Sequence, residues 1–250
     1  MAITTAQQEI LTRVRGNYTS GLSSAEASQR RSISSGDGGG TRGGLNLNTV
    51  RPPLNCPKWV CCLLPCINHI PSMKQFRLVQ PDDAEVLRDG HWIRYDHASL
   101  VVGDIVRLVE GDVIPADCSI ISLGMDHVDA SIVVDVETSG NGTPQGLVSG
   151  KSSNTGMDII VDSHLVTGEL KPRQISNNAN GAVNSTTLYY GSRILQGACI
   201  AVVTATGDRV MLAKLIKARR WPPQTDLSEE VEEINRMEYL EAGIALTPIS

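Results

Sequence analysis

The sequence predicts a mainly β fold with a few helices, and three observations support this. Hydrophobic residues make up 41% of the 250 residues, which is enough to build one core. Only 4% of the residues are aromatic, so the core must be aliphatic and led by Val, Ile and Leu, as in β-rich structures. From Phe76 onward, short runs of such residues alternate with Gly, Asp and Pro, a pattern typical of a compact antiparallel sheet.

Residues 1–52 are predicted to form a flexible tail with one short helix. Thr4 or Thr5 can cap this helix, and apolar residues at helical spacing continue it to Val14. The Ser-, Gly- and Arg-rich segment 23–44 has too few apolar groups to offset the entropy that ordering would cost. We therefore expect a flexible linker in that segment.

Residues 53–75 form a Cys-rich apolar strip with four clustered cysteines: Cys56, Cys61, Cys62 and Cys66. Their spacing lacks the paired C-x2-C knuckles of structural zinc sites, so no metal is predicted. Adjacent cysteines beside apolar residues suit S-acylation, and two acyl chains would be enough for stable contact with a membrane. The alternative is a strip that packs on the domain with inert thiols, and both interpretations stay open.

Residues 76–220 carry the strand pattern. A first group of β-favouring runs comprises FRLVQ, AEVLRDG, HWIRYD, SLVVGDIVRLVEGD and CSIISLG. A long Gly/Ser/Asn-rich loop insertion follows at about residues 137–157, and then the runs MDIIVD, TTLYYGSRIL and ACIAVVTATG. Asp89 and Gly90 predict a hairpin turn, and Asp208 is the predicted N-cap of a helix that ends before Trp221.

Residues 221–250 are predicted to contain an amphipathic helix with Ser228 as its N-cap and acidic residues in its first turn. One face carries apolar side chains at helical spacing, namely Leu227, Val231, Ile234, Met237 and Leu240. We expect this face to pack on the domain or on a partner.

Charge and hydropathy exclude several function classes. The formal net charge of -5 disfavours nucleic acid as a partner. A helix that crosses a bilayer needs roughly 20 apolar residues in a row, whereas the longest apolar stretch, WVCCLLPCI, contains Pro65. The N-terminus lacks the apolar block of a secretory signal, so we expect a cytoplasmic protein or one peripheral to the cytoplasmic face of a membrane. The histidines show no metal-ligand spacing, and no cofactor is predicted.

Three motifs follow one another along the chain: GDIVRLVEGDVIPAD at 103–117, VDSHLVTGELKP at 161–172 and YYGSRILQGACIAVVTATGDR at 189–209. Together they resemble the actuator domain of P-type cation-transporting ATPases, in its sodium-pump-like form, over about residues 84–217. The segment QTDLSEEVEEI resembles the region just before the third membrane helix of such pumps. The order and spacing of the motifs make the resemblance specific.

The resemblance implies a distorted jelly roll, like a double-stranded β-helix, that rotates between pump states. It also implies that the Thr-Gly-Glu loop reaches a phosphorylated aspartate on another domain, where the glutamate positions the water that hydrolyses the acyl phosphate. Glu169 occupies that position, and a carboxylate suits the task because the attacking water must be held and partly deprotonated. Gly168 lets the backbone approach a phosphate, and Thr167 has a hydroxyl to donate.

The chain also departs from the family pattern. Leu170 stands where the family motif continues with serine, so a hydroxyl near the phosphate is lost. The sequence shows no DKTG-like phosphorylation motif, no nucleotide-binding domain and no transmembrane helix. We therefore expect that the chain does not pump ions by itself, and whether it is an enzyme stays open.

These observations lead to three hypotheses about function. The first is an isolated actuator-domain protein, a regulatory or partner-binding module related to cation transport, whose partner is a P-type ATPase or another membrane protein. The second is a phosphatase that uses the Thr-Gly-Glu loop to hydrolyse an acyl phosphate in trans. The third is a membrane-tethered β-rich adaptor.

Overall fold

The computed structural model describes residues 5–33, 48–54, 70–124, 158–176 and 187–241. Its strands are β1 (Asp83–Arg88), β2 (His91–Asp96), β3 (Ile105–Val109), β4 (Asp117–Leu123), β5 (Ile159–Asp162), β6 (Arg173–Ile175), β7 (Thr187–Leu188), β8 (Arg193–Gln196) and β9 (Ala198–Ala205). Its helices are α1 (Thr5–Val14), α2 (Ser24–Ile33), α3 (Pro71–Leu78), α4 (His164–Thr167), α5 (Met211–Lys217) and α6 (Ser228–Glu241). Short 3-10 turns lie at His97–Ser99 and Gly207–Arg209.

The strands form two antiparallel sheets, which confirms the predicted mainly β fold class. The larger sheet has six strands in the order β2-β1-β3-β9-β4-β7, and the smaller has three in the order β6-β5-β8. Arg88 pairs with His91, so the hairpin turn between β1 and β2 consists of Asp89 and Gly90. Both turn residues have positive φ, +51° and +79°, as the Asp-Gly pair predicts.

The central strand β9 is apolar on both faces because both faces of the larger sheet are covered. Cys199, Ala201 and Val203 point to the main core, where they meet side chains of the smaller sheet such as Val161 and Ile194. Ile200 and Val202 point the other way and pack with Leu11 and Val14 of α1 in a separate cluster. The larger sheet therefore lies between the smaller sheet and the N-terminal helix.

The N-terminal region is more ordered than its composition predicts. Helix α2 lies within the segment predicted as a flexible linker, so that prediction is wrong for Ser24–Ile33. The Arg30 guanidinium donates to the carbonyl oxygens of Val102 (2.6 Å), Arg15 (2.8 Å) and Val14 (2.9 Å) and to the carboxylate of Glu26 (2.6 Å). The hydrogen bonds of one arginine thus stabilise the position of α2. A prediction based on the number of apolar residues does not take such polar contacts into account.

The run FRLVQ is not a strand as predicted, because Phe76 to Leu78 form the last turn of α3. Pro71 occupies the start of this helix, where its missing N–H costs nothing and its fixed φ suits the first turn. Phe76 is buried and meets the Trp221 ring edge to face at 6.0 Å between centroids. This tertiary contact outweighs the weak β preference of a short run.

Helix α5 is not capped by Asp208, which corrects the sequence prediction. Asp208 lies in the 3-10 turn before the helix, and its carboxylate is 3.9 Å from the guanidinium of Arg51. The first N–H of α5, that of Met211, donates instead to Oδ2 of Asp117 at 2.6 Å. The cap therefore comes from a buried aspartate far away in the sequence.

The apolar face of α6 packs on the domain along its first half. Leu227, just before the helix, and Val231 are buried, and Ile234 is partly buried in the cluster formed around Met211 and Trp221. Met237 is 52% exposed, so the apolar stripe continues beyond the surface it covers. Packing on the domain, one of the two predicted outcomes, is thus observed for this part of the helix.

Two predictions concern residues outside the described ranges. They are the Cys-rich strip with Cys56, Cys61, Cys62 and Cys66 and the loop insertion at about residues 137–157. Among the helices α1 to α6, which lie in the described part of the chain, none has the length and apolar character needed to cross a membrane.

Candidate functional site

The Thr-Gly-Glu turn, defined here as residues 163–172, connects β5 to β6 in the smaller sheet. It begins with one helical turn, α4, whose first N–H (His164) donates to Oδ1 of Asp162 at 2.9 Å. The carbonyl oxygen of Ser163 then accepts the N–H groups of Val166 at 2.9 Å and Thr167 at 2.8 Å. These local bonds fix the backbone that leads to the glutamate.

Gly168 ends α4 in the left-handed conformation, with φ +81° and ψ 6°. Its N–H donates to the carbonyl oxygen of His164 at 3.0 Å. A Cβ at this position would lie 2.5 Å from the carbonyl oxygen of Thr225 and 3.0 Å from Cβ of Pro223. The positive φ and the closeness of Thr225 and Pro223 therefore both require glycine at this position. The resemblance implies a further reason, which is that glycine lets the backbone approach a phosphate.

Thr167 points into the protein and is fully buried. Its hydroxyl donates to the carbonyl oxygen of Ser163 at 3.2 Å, and its own carbonyl accepts the N–H of Leu227 at 2.8 Å. In this conformation the hydroxyl supports the turn. Its contact with a phosphate stays a prediction.

Glu169 lies at the surface of the turn, with 15% of its side chain exposed. Its Oε1 is 3.7 Å from Nη2 of Arg173, which makes an ion pair rather than a hydrogen bond. The carbonyl oxygen of Glu169 lies 3.3 Å from Nδ1 of His164. The predicted catalytic carboxylate thus lies beside a positive charge, on a side chain that is largely but not completely buried.

The residue after Glu169 is the most exposed large apolar side chain of the described residues. Leu170 is 83% exposed, and Lys171 and Pro172 beside it are exposed as well. The position where the family motif has a serine therefore presents an apolar tip next to the carboxylate.

A segment that the sequence analysis treated only as a helix stop holds the turn from behind. This strap, residues 221–227, receives two hydrogen-bonded attachments to the turn. Nε1–H of Trp221 donates to the carbonyl oxygen of Leu165 at 2.7 Å, and the N–H of Leu227 donates to that of Thr167 at 2.8 Å. The sequence contained one indication of this contact, the tryptophan before two prolines. A tryptophan that is buried needs an acceptor for its indole N–H, so a hydrogen bond to another part of the chain was to be expected.

The sequence analysis also missed Arg173 and Tyr189. The Arg173 guanidinium lies over the Tyr189 ring, with Cζ 5.5 Å from the ring centroid. Burial raises the pKa of Tyr189 to about 12, although the positive charge of Arg173 opposes that rise. The Tyr189 hydroxyl accepts a hydrogen bond from Nδ2 of Asn235 at 2.9 Å, which connects α6 to this group.

The motif GDVIPAD has the structural role that its turn residues predict. Oδ2 of Asp112 accepts the N–H of Val109 at 2.9 Å, which closes the turn after β3. Asp117, at the end of the motif, makes contacts over a longer range. Its two oxygens accept the N–H groups of Tyr190 (2.8 Å) and Met211 (2.6 Å), so it joins distant parts of the chain.

Within the described ranges, no group of three or more His, Cys, Asp or Glu side chains is placed to hold a metal ion. The charged groups that the structure brings together at the turn are the Glu169 carboxylate and the Arg173 guanidinium.

Comparison with known proteins points to one family. The family model described as the P-type ATPase actuator domain matches residues 78–134 and 152–220, which is half of the chain. The matched region contains the three motifs and the Thr-Gly-Glu turn.

Several curated relatives match with low identity. A calcium-transporting ATPase of Plasmodium falciparum is 27% identical over 165 residues, which cover 64% of this chain and 12% of the relative. The sodium/potassium-transporting ATPase subunit alpha-3 of Rattus norvegicus and that of Homo sapiens are each 28% identical over 143 residues, 57% of this chain and 11% of the relative. The match thus spans about a tenth of the length of these proteins.

Among solved structures, a zinc-transporting PIB-type ATPase in the E2.Pi state matches with a TM-score of 0.37 and 15% identity. The match covers 68% of this chain and 22% of that chain. A TM-score at this level carries no argument about the site.

Proposed function

The chain belongs to the P-type ATPase actuator-domain family, and from this premise we propose that it serves cation transport as a regulatory or partner-binding module that presents Glu169 to an aspartyl phosphate. The observation that carries the proposal is the construction of the Thr-Gly-Glu turn. Thr167 is buried and Gly168 is confined by the strap, whereas the Glu169 side chain between them and the exposed Leu170 keeps 15% of its surface exposed.

The proposed chemistry is hydrolysis of an acyl phosphate by water. Water attacks phosphorus in line, the bond between phosphorus and the aspartyl oxygen breaks, and inorganic phosphate leaves. Glu169 holds the water by accepting its hydrogen bond and takes up a proton as the new bond forms.

The phosphorylated aspartate belongs to a P-type ATPase that the turn contacts. Leu170 supports this contact because it places an apolar side chain, 83% exposed, directly after the catalytic carboxylate. Such a side chain gains from burial against a partner surface, and burial of a whole leucine is worth about 2 kcal/mol. The proposal therefore makes Leu170 a contact residue and Glu169 the reacting one.

The test is to capture the tagged protein, expressed from its own gene, from gently solubilised membranes that were labelled in the cold with γ-32P ATP. Acyl phosphates are released by hydroxylamine, so label that is lost with hydroxylamine identifies an aspartyl phosphate. We expect such label in the capture and expect more of it with Glu169→Gln, because that variant hydrolyses the phosphate slowly.

The matched control is Glu110→Gln, the same chemical change at an exposed turn residue after β3. This control should retain the wild-type amount of label. Absence of hydroxylamine-sensitive label from every capture would reject the proposal in favour of an adaptor. Migration of the label with the tagged chain or with a separate protein would tell whether the phosphate and the turn share one polypeptide.

A further inference from the structure

The side chain of Arg173 has contacts on two sides, with a carboxylate and with an aromatic ring. Its side chain is only 19% exposed, and its guanidinium lies between the Glu169 carboxylate at 3.7 Å and the Tyr189 ring at 5.5 Å. An arginine loses much rotamer entropy when it is fixed, and in a largely buried ion pair the cost of removing both charges from water can exceed their attraction. The arrangement is thus poorly explained by stability alone.

Tyr189 is itself fixed by two different parts of the chain. It follows β7 of the larger sheet and is 2% exposed, and Asn235 of α6 donates a hydrogen bond to its hydroxyl. The series Asn235, Tyr189, Arg173 and Glu169 therefore connects α6 to the carboxylate through three side-chain contacts. Because Arg173 begins β6, both its backbone and its side chain are restrained.

We propose that Arg173 is the positioning residue of Glu169: lying over the Tyr189 ring, its guanidinium holds the carboxylate in the direction from which it orients the attacking water. This inference rests on the proposed function, because it assigns a role within the same hydrolysis. Arg173 acts through Glu169 and does not itself bind the phosphate. A guanidinium suits this task, since its positive charge is attracted both by the face of an aromatic ring and by a carboxylate.

The test is a kinetic double-mutant cycle on the decay of the captured phosphoprotein after a chase with unlabelled ATP. Arg173→Met should slow the decay about tenfold, the effect of losing one charge-assisted contact. In the Glu169→Gln background the same substitution should change nothing further, because its target is already removed. Equal slowing in both backgrounds would overturn the proposal and assign Arg173 to the phosphate or to folding.

Two further variants separate charge from packing. Arg173→Lys keeps the positive charge and should recover most of the decay rate, whereas a purely structural role would not distinguish Lys from Met in this way. Arg236→Met removes the arginine of another ion pair with a glutamate, Glu233, at 3.9 Å on α6, and should decay like wild type. A decay equally slowed by Arg236→Met would contradict a role specific to Arg173.

The outcomes also separate this inference from the proposed function. If the phosphoprotein decays at the wild-type rate in Glu169→Gln, the proposed function is wrong, and the positioning role of Arg173 is wrong with it. If Glu169→Gln is slow while Arg173→Met is not, only the positioning role is wrong. Should Arg173→Met fail to fold in a thermal unfolding check, Arg173→Gln takes its place in the cycle, with the same two expected results.

Discussion

Single residues of the Thr-Gly-Glu turn differ sharply in what they tolerate. The side chain of Glu169 keeps 15% of its surface exposed, whereas Thr167 and Gly168 are buried. These three residues are contiguous in the sequence, so a local motif was enough to find them. Arg173 begins β6 of the smaller sheet and Tyr189 follows β7 of the larger sheet, and nothing in their local sequence indicates that the two side chains meet.

Gly168→Ala should destabilise the protein strongly because it combines a positive φ with a contact against backbone. We expect a loss of about 3 kcal/mol in the free energy of unfolding, from left-handed strain and from the Cβ at 2.5 Å from the Thr225 carbonyl. Gly90→Ala is the control, because Gly90 also has positive φ but has nothing within 4 Å of its Cβ position. Urea unfolding that gives equal losses for both variants would contradict the role of the strap.

Tyr189 should make the protein less stable at alkaline pH. Its pKa is raised by burial from 10.0 to about 12, so the folded protein keeps a proton that the unfolded chain releases. This contribution is complete below the unfolded pKa and disappears as the pH rises toward 12. Between about pH 8 and about pH 11, we expect Tyr189→Phe to lose about 1 kcal/mol less than wild type in urea unfolding. An identical loss in the two proteins would refute the assignment.

At the scale of elements, strands were easier to predict than helices. Alternating apolar runs between turn residues define β1, β2, β3 and β9 locally, and the structure has strands in those runs. The helices α2 and α3 were missed because distant groups stabilise them: the Arg30 hydrogen bonds in one case and the Phe76 contact with Trp221 in the other. A pattern within one segment does not contain those partners.

The start of α5 offers a direct test of which aspartate caps it. Asp117→Asn exchanges a carboxylate oxygen for an NH2 group, so one of two buried N–H donors, on Tyr190 and Met211, loses its acceptor. We expect a loss of about 2 kcal/mol in the free energy of unfolding. Asp208→Asn, the cap predicted from the sequence, should leave thermal unfolding unchanged because its carboxylate is 71% exposed. A larger loss of stability for Asp208→Asn than for Asp117→Asn would contradict this assignment and support Asp208 as the cap.

At the scale of the whole molecule, the fold brings the Thr-Gly-Glu turn and helix α6 together. The strap leads from α5 past the turn into α6, and Arg220 before it donates to Glu230 of α6 at 2.7 Å. The order in which β3, β9 and β4 pair depends on contacts between residues 76 to 97 positions apart, which strand patterns do not specify. That level of the fold was accessible only through the resemblance of the three motifs to a known family.

The central claim is that Glu169 drives hydrolysis of an aspartyl phosphate. The most direct measurement is the decay rate of the hydroxylamine-sensitive label in the captured protein after a chase with unlabelled ATP, compared between Glu169→Gln and Glu110→Gln. We expect Glu169→Gln to decay at least about a hundredfold more slowly, since it lacks the group that holds and deprotonates water, while Glu110→Gln decays like wild type. Equal decay rates for the two variants would contradict the claim.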